Sequence, residues 1–128
     1  GNPEKILSNV EKQIHRRILL QTKTLILTPR YLVELSDDIC AIIPLPEVLW
    51  IYDHAAMRRT IKGRQLSYTI HVVTMKGEEY TLTGKSHREV SAIYHELNTR
   101  YPNFFFGYSK EHQEMVQYVL HEMKNEKA

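Results

Sequence analysis

Four cations crowd seven residues: Arg58, Arg59, Lys62 and Arg64, with Gly63 allowing a turn among them. Guanidinium and ammonium groups at this density suit phosphate, whether on a lipid headgroup or a nucleic-acid backbone. Beside an anionic membrane each is worth about 1 kcal/mol. The plain alternative is a solvated loop that keeps a sheet end soluble. A second cluster is aromatic: Tyr101, Phe104, Phe105, Phe106 and Tyr108. Phe104, Phe105 and Phe106 suit a partner-docking patch or a dip into a membrane interface. The preferred, plainer reading is a tie that fastens the last helix to the body of the domain. The single tryptophan, Trp50, stands in the apolar run VLWIY and reads as core.

Catalytic signatures are missing. The seven histidines include no pair at i,i+3 or i,i+4, and no HExxH occurs. Glu11 and His15 have helical spacing, which reads as a surface contact. Ser67, Ser86, Ser91 and Ser109 lack the G-x-S-x-G context of an activated nucleophile. The five glycines build no phosphate-cradling loop. Asp37 and Asp38 are adjacent, so they read as a turn rather than an acid/base pair. Cys40 lies in an apolar run with no cationic neighbour and reads as a small buried hydrophobe. The expectation is a protein that is not an enzyme and uses no metal and no cofactor. A small enzyme with its site assembled from distant residues stays open as an alternative.

The elements that must position these residues follow from periodicity. Asn2, Pro3 and Glu4 begin a helix whose apolar positions are Ile6, Leu7, Val10, Ile14 and Ile18, predicted over residues 2–21. Residues 24–28 and 31–35 flank Pro29-Arg30 as a hairpin. Apolar runs at 39–44 and 48–52 give two more strands. Residues 53–64 show no strand pattern and read as a charged loop. Tyr68, Ile70 and Val72 then alternate with polar neighbours, Lys76-Gly77 turns, and Tyr80 and Leu82 resume the alternation: a hairpin with one buried face. Ser86 and Glu89 form a capping box for a helix that Pro102 ends. Ser109 caps a last helix with an apolar stripe of Met115, Val116, Val119, Leu120 and Met123. Strands in meander order without βαβ alternation argue against a parallel sheet.

Composition bounds the rest. The 128 residues, 42% hydrophobic and 25% charged, suit one globular domain over 1–128. One cysteine excludes an internal disulfide and fits a reducing compartment. The formal net charge of +2 argues against a nucleic-acid binder, though the cations of 58–64 keep that alternative open. Charge is blocked: residues 31–56 hold five acids and no Lys or Arg, while 57–76 hold five Lys/Arg and no acid. No stretch is long and apolar enough to span a bilayer. Gly1 in place of Met resembles a tag scar, which predicts further sequence upstream of Asn2.

Between Thr24 and Tyr101 the chain resembles the bacterial pleckstrin-homology-like domains. Residues 28–33 (TPRYLV) are similar to the family's first hairpin, and 43–48 (IPLPEV) to its "I-P-L-x-x-I" corner. The alternation at 68–73 and 80–82 around Lys76-Gly77, followed by a capped helix, is similar to its last hairpin and helix. The resemblance implies an α+β, mainly β fold, a bent antiparallel barrel plugged by a helix; the chain departs from it in showing about six strands where a full barrel has seven, and in adding an N-terminal helix (2–21) and an aromatic loop with a C-terminal helix (102–128). It implies a non-catalytic binding or scaffolding module for a protein or peptide partner. A fainter likeness is to uncharacterised bacterial proteins in which such a domain follows membrane-spanning helices. That implies a cytoplasmic domain at the membrane face, with an anionic membrane surface as a second partner. The apolar stripes of the flanking helices offer a homodimer contact.

Overall fold

The computed structural model describes residues 18–35 and 40–127. The helix expected over 2–17, the turn at Asp37-Asp38 and the Cys40 side chain lie outside the described residues. Among the described residues the fold is mostly β, with two helices and two four-stranded sheets, and the chain divides into two compact units, 1–46 and 47–128. Among the described residues neither sheet closes on itself as a barrel.

The first unit carries a meander of β1 (Leu20–Gln21), β2 (Leu25–Leu27), β3 (Tyr31–Leu35) and β4 (Cys40–Pro44), each antiparallel to the next. The turn at Pro29-Arg30 forms as expected. Proline fixes its own φ, and Thr28 closes the turn, its N–H donating to the Tyr31 carbonyl at 2.9 Å and its Oγ1 accepting from the Tyr31 N–H at 3.1 Å. Leu25, Leu27, Leu32 and Ile43 are fully buried. The helix predicted through Gln21 is corrected at its end: Leu20 pairs with Leu27 and Gln21 with Ile26. Ladder bonds to a neighbouring strand outweigh the helical spacing of Ile14 and Ile18 there.

The second unit holds β5 (Val48–Thr60), β6 (Gly63–Thr74), β7 (Glu79–Lys85), α1 (His87–Arg100), β8 (Phe105–Phe106) and α2 (Lys110–Lys127). Its sheet order is β7-β6-β5-β8. Ile70, Val72 and Leu82 are at most 2% exposed, as the alternation predicts, with Tyr68 and Tyr80 half-buried; the expectation of a single buried face is corrected, since Val73 on the opposite face is buried against Trp50 and Val116. Ser86 caps α1 with both reciprocal bonds of the capping box, 3.2 Å to the Glu89 N–H and 2.9 Å from the Glu89 carboxylate to the Ser86 N–H. Ser109 caps α2 by accepting from the His112 N–H at 3.0 Å. Val90, Ile93 and Leu97 are buried on α1, and Val116 of α2 joins Leu49, Trp50 and Val73 in one cluster.

Two expectations are corrected in this unit. Residues 53–64 are not a loop: β5 and β6 form one long hairpin whose ladder runs from Trp50↔Val73 to Thr60↔Gly63. Its two-residue turn is Ile61-Lys62, followed by Gly63 at φ +111°, a backbone region glycine enters without steric cost. The aromatic loop likewise contains a strand. β8 runs parallel to β5, with Trp50↔Phe105 and Ile51↔Phe106 in register. The described strands are therefore eight rather than six, and the extra ones are the shortest.

Candidate functional site

Cross-strand register sorts the long hairpin into two faces. Trp50, Tyr52, His54, Ala56 and Arg58 share one with Val73, His71, Thr69, Ser67 and Gln65. Ile51, Asp53, Ala55, Met57 and Arg59 share the other with Val72, Ile70, Tyr68, Leu66 and Arg64. At the root both faces are covered. The Tyr94 hydroxyl of α1 donates to Asp53, and Val116 of α2 packs with Trp50 and Val73. Burial of Tyr94 and its bond to Asp53 hold that phenol well above the ordinary tyrosine range. From His54 through Leu66 every residue is exposed, so the outer half of the hairpin projects past its core.

The structure brings all four predicted cations to this projecting tip. Arg59 and Arg64 are directly opposed across the ladder on one face, Arg58 is opposite Gln65 on the other, and Lys62 lies in the turn. No acid occurs between His54 and Gly77. Among the described residues none of the four makes an ion pair. Like charges placed directly opposite destabilise a ladder, so the Arg59/Arg64 pair costs the free hairpin energy that an anion between them would relieve.

Apolar groups accompany the cations. Ile61, at the apex, is fully exposed. Met57 and Leu66 are opposed on the Arg59/Arg64 face and are 61% and 53% exposed. The other face near the tip is small and polar: Ala56, Ser67, Thr69 and Gln65. The tip is thus two-sided, with one face and the apex combining isolated hydrophobes and guanidinium groups. A hollow of about 260 Å³ beside it is lined by Ala56, Arg58, Ser67, Thr69, Thr83 and Gly84.

The predicted docking aromatics sit elsewhere and act as fasteners. Phe105 is paired with Trp50 and lies 5.5 Å from the His112 ring of α2. Phe106 meets the Tyr94 ring of α1 edge-on at 4.4 Å, and Phe104 meets Phe106 at 6.2 Å. Gly107 completes the tie: its N–H donates to the Ile51 carbonyl at 2.8 Å, and its carbonyl accepts from Trp50 Nε1 at 3.0 Å. Phe106 keeps 44% of its surface exposed, so the patch is partly internal.

A row of rings that spacing along the chain does not reveal crosses the sheet. Trp50, Tyr52 and His54 alternate along β5, Tyr52 stacks on His71 at 4.7 Å, and His71 Nε2 lies 3.3 Å from His54 Nδ1. Burial and the neighbouring His54 depress the His71 pKa below 6.5, with Glu79 opposing. Only the hairpin register places these histidines together, 17 residues apart in sequence. Among the described residues no group of three His, Cys, Asp or Glu could hold a metal ion. No described helix is long and apolar enough to cross a membrane.

No curated protein and no solved structure matches the chain. A family model, "Domain of unknown function (DUF6709)", matches residues 6–116, from the N-terminal segment through both sheets into α2, and the chain belongs to that family.

Proposed function

We propose that this domain is a non-catalytic binding module that docks on an anionic lipid surface through the β5–β6 tip. The observation that carries the reading is the unpaired Arg59/Arg64 pair, opposed across the ladder beside the fully exposed Ile61. A solvated hairpin gains nothing from opposed guanidinium groups. A layer of phosphates compensates both, and the apolar zone beneath it accepts Ile61. The same arrangement on a projecting hairpin lets the tip reach a flat surface while the helix-covered root stays clear of it.

The wider reading is a pleckstrin-homology-like module at the cytoplasmic face of a bacterial membrane protein. Its support is the order of elements: a meander, a long hairpin, β7, then a capped helix against the sheet. The aromatic ties of Phe105 and Phe106 suit a scaffold better than a moving part. Co-sedimentation with phosphatidylcholine vesicles of rising phosphatidylserine content tests the lipid reading. Binding should rise with anionic content and disappear in Arg58→Glu/Arg59→Glu. Equal binding to neutral vesicles would overturn it. Tight, salt-sensitive binding of oligonucleotides with none to vesicles would replace lipid with nucleic acid.

A further inference from the structure

β5 has an open edge. Its inner edge pairs with β6 along the whole hairpin, while β8 covers its outer edge only at Trp50 and Ile51. Among the described residues no strand pairs with the next nine, Tyr52 to Thr60, on that side, and those from His54 onward are exposed. A long, exposed edge of this kind is a template for another strand.

The phase of the edge is fixed by one bond. The Ile51 carbonyl points outward, because it accepts from the Gly107 N–H of the β8 segment. Strand alternation then turns the N–H and C=O groups of Asp53, Ala55, Met57 and Arg59 the same way. An incoming antiparallel strand must bond to these four residues.

Sequence chooses the incoming strand. When the edge meets its own copy about a two-fold axis, only registers that face odd-numbered residues with odd-numbered residues satisfy the bonding phase. An axis at Ala55 sets Asp53 against Met57, and one at Met57 sets Asp53 against Ile61. An axis at Ala56 sets Asp53 against Arg59 twice, Ala55 against Met57 twice, and Ala56 against itself. Of the three, that register alone matches opposite charges; it also sets His54 against Arg58 and places an alanine on the axis. The seven residues Asp53–Arg59 also fit between the end of β8 and the Ile61-Lys62 turn. The other free edges fit worse. The outer edge of residues 64–67 carries Arg64 and no acid, and β7 is broken by a bulge at Gly84, φ +67°.

We propose that two copies of this chain pair antiparallel along β5, Asp53–Arg59 on Asp53–Arg59, about a two-fold axis at Ala56. The pairing stands on edge geometry and charge, not on lipid binding; it offsets Arg59 with an acid and points the two tips in opposite directions, so the dimer presents one tip at a time, through Ile61, Lys62 and Arg64, to a flat surface. It is isologous, so both copies contribute the same surface and the assembly closes as a dimer.

Disulfide trapping tests it directly. Ala56 opposes itself at a non-hydrogen-bonded site, where antiparallel Cα atoms lie about 4.5 Å apart, within the range a disulfide spans. In a Cys40→Ser background, Ala56→Cys should form a disulfide dimer under mild oxidation, while Thr69→Cys on the central strand β6 should not. In sedimentation equilibrium, Asp53→Arg, which also gives up the bond from the Tyr94 hydroxyl, should weaken self-association about tenfold, since two ion pairs become two repulsions. Arg59→Asp should do the same, and Asp53→Arg/Arg59→Asp should restore it. Circular dichroism checks that each variant folds. A strict monomer at millimolar concentration, equal trapping of the Ala56→Cys and Thr69→Cys variants, or no rescue by the double variant would overturn the pairing.

Discussion

Replacing Arg59 by glutamate separates a lipid-docking hairpin from a merely solvated one, because both gain stability from the change and only the docking hairpin loses vesicle binding. In the free chain Arg59 faces Arg64 across the ladder. Glutamate at 59 turns a like-charge pair into an opposite-charge pair, and such a pair contributes roughly 0.2–1 kcal/mol. The hairpin should therefore be slightly more stable in Arg59→Glu. Vesicle affinity should move the other way. Each cation near an anionic surface is worth about 1 kcal/mol, so a charge reversal removes one attraction and adds one repulsion, about 2 kcal/mol or a thirtyfold loss.

Ile61 supplies an independent control. It is fully exposed, so Ile61→Ser removes nothing that holds the fold together. Full burial of such a side chain is worth about 1.5–3 kcal/mol, and partial insertion should give about a tenfold effect. The two terms respond differently to salt. The Debye length shrinks from about 10 Å at 0.1 M to about 3 Å at 1 M, so the arginine term collapses while the isoleucine term persists. The assay is vesicle co-sedimentation at both ionic strengths beside urea unfolding of the same variants. If Arg59→Glu lowers stability, or leaves vesicle binding unchanged, the reading of the tip is wrong.

Other consequences follow from the helix-covered root. Trp50→Phe should cost about 1 kcal/mol from the lost indole hydrogen bond, because Gly107 O keeps His112 Nδ1 at 2.9 Å. Adding His112→Ala should then cost more than the sum of the single changes, as a double-mutant cycle by chemical denaturation will show. Ile93→Ala, at a fully buried site on α1, should destabilise by roughly 2–5 kcal/mol, and a loss smaller than about 1 kcal/mol would contradict tight packing there. His71, whose folded pKa lies below 6.5, is protonated less readily in the folded state than in the unfolded chain. Its contribution to stability is present above pH 6.5 and is lost as pH falls below that value towards the folded pKa. His71→Gln should flatten that acid limb in denaturation curves.

The elements with a buried face were legible. The Ser86 capping box, the Pro29-Arg30 turn, the alternation of Tyr68, Ile70 and Val72, and the stripe containing Val116 are all local consequences of burial or of backbone capping. They leave period-two or period-3.6 patterns in the chain. The two-residue strands were not legible, because two residues carry no period. β8 could be read only as five aromatics in a short stretch, and its parallel pairing with β5 is a tertiary contact that no local pattern records. The two units, each with its own sheet, also left no signal, since the run from Pro44 to Tyr52 is apolar apart from Glu47.

The outer hairpin was misread for a physical reason that bears on function. Alternation records which side of a strand meets a core. From His54 to Leu66 neither side meets one, and selection for burial no longer shapes the pattern. Residues 54–66 still form a ladder because a two-residue turn and Gly63 keep the strands in register after the core has ended. Strand that extends past its own core contributes little to the stability of the fold and leaves exposed hydrophobes, opposed cations and an open edge. Met57, Ile61, Leu66, Arg59 and Arg64 therefore have no structural partner to explain them within the described chain, which is the argument for looking outside it, to a surface at the tip and a second strand along the edge.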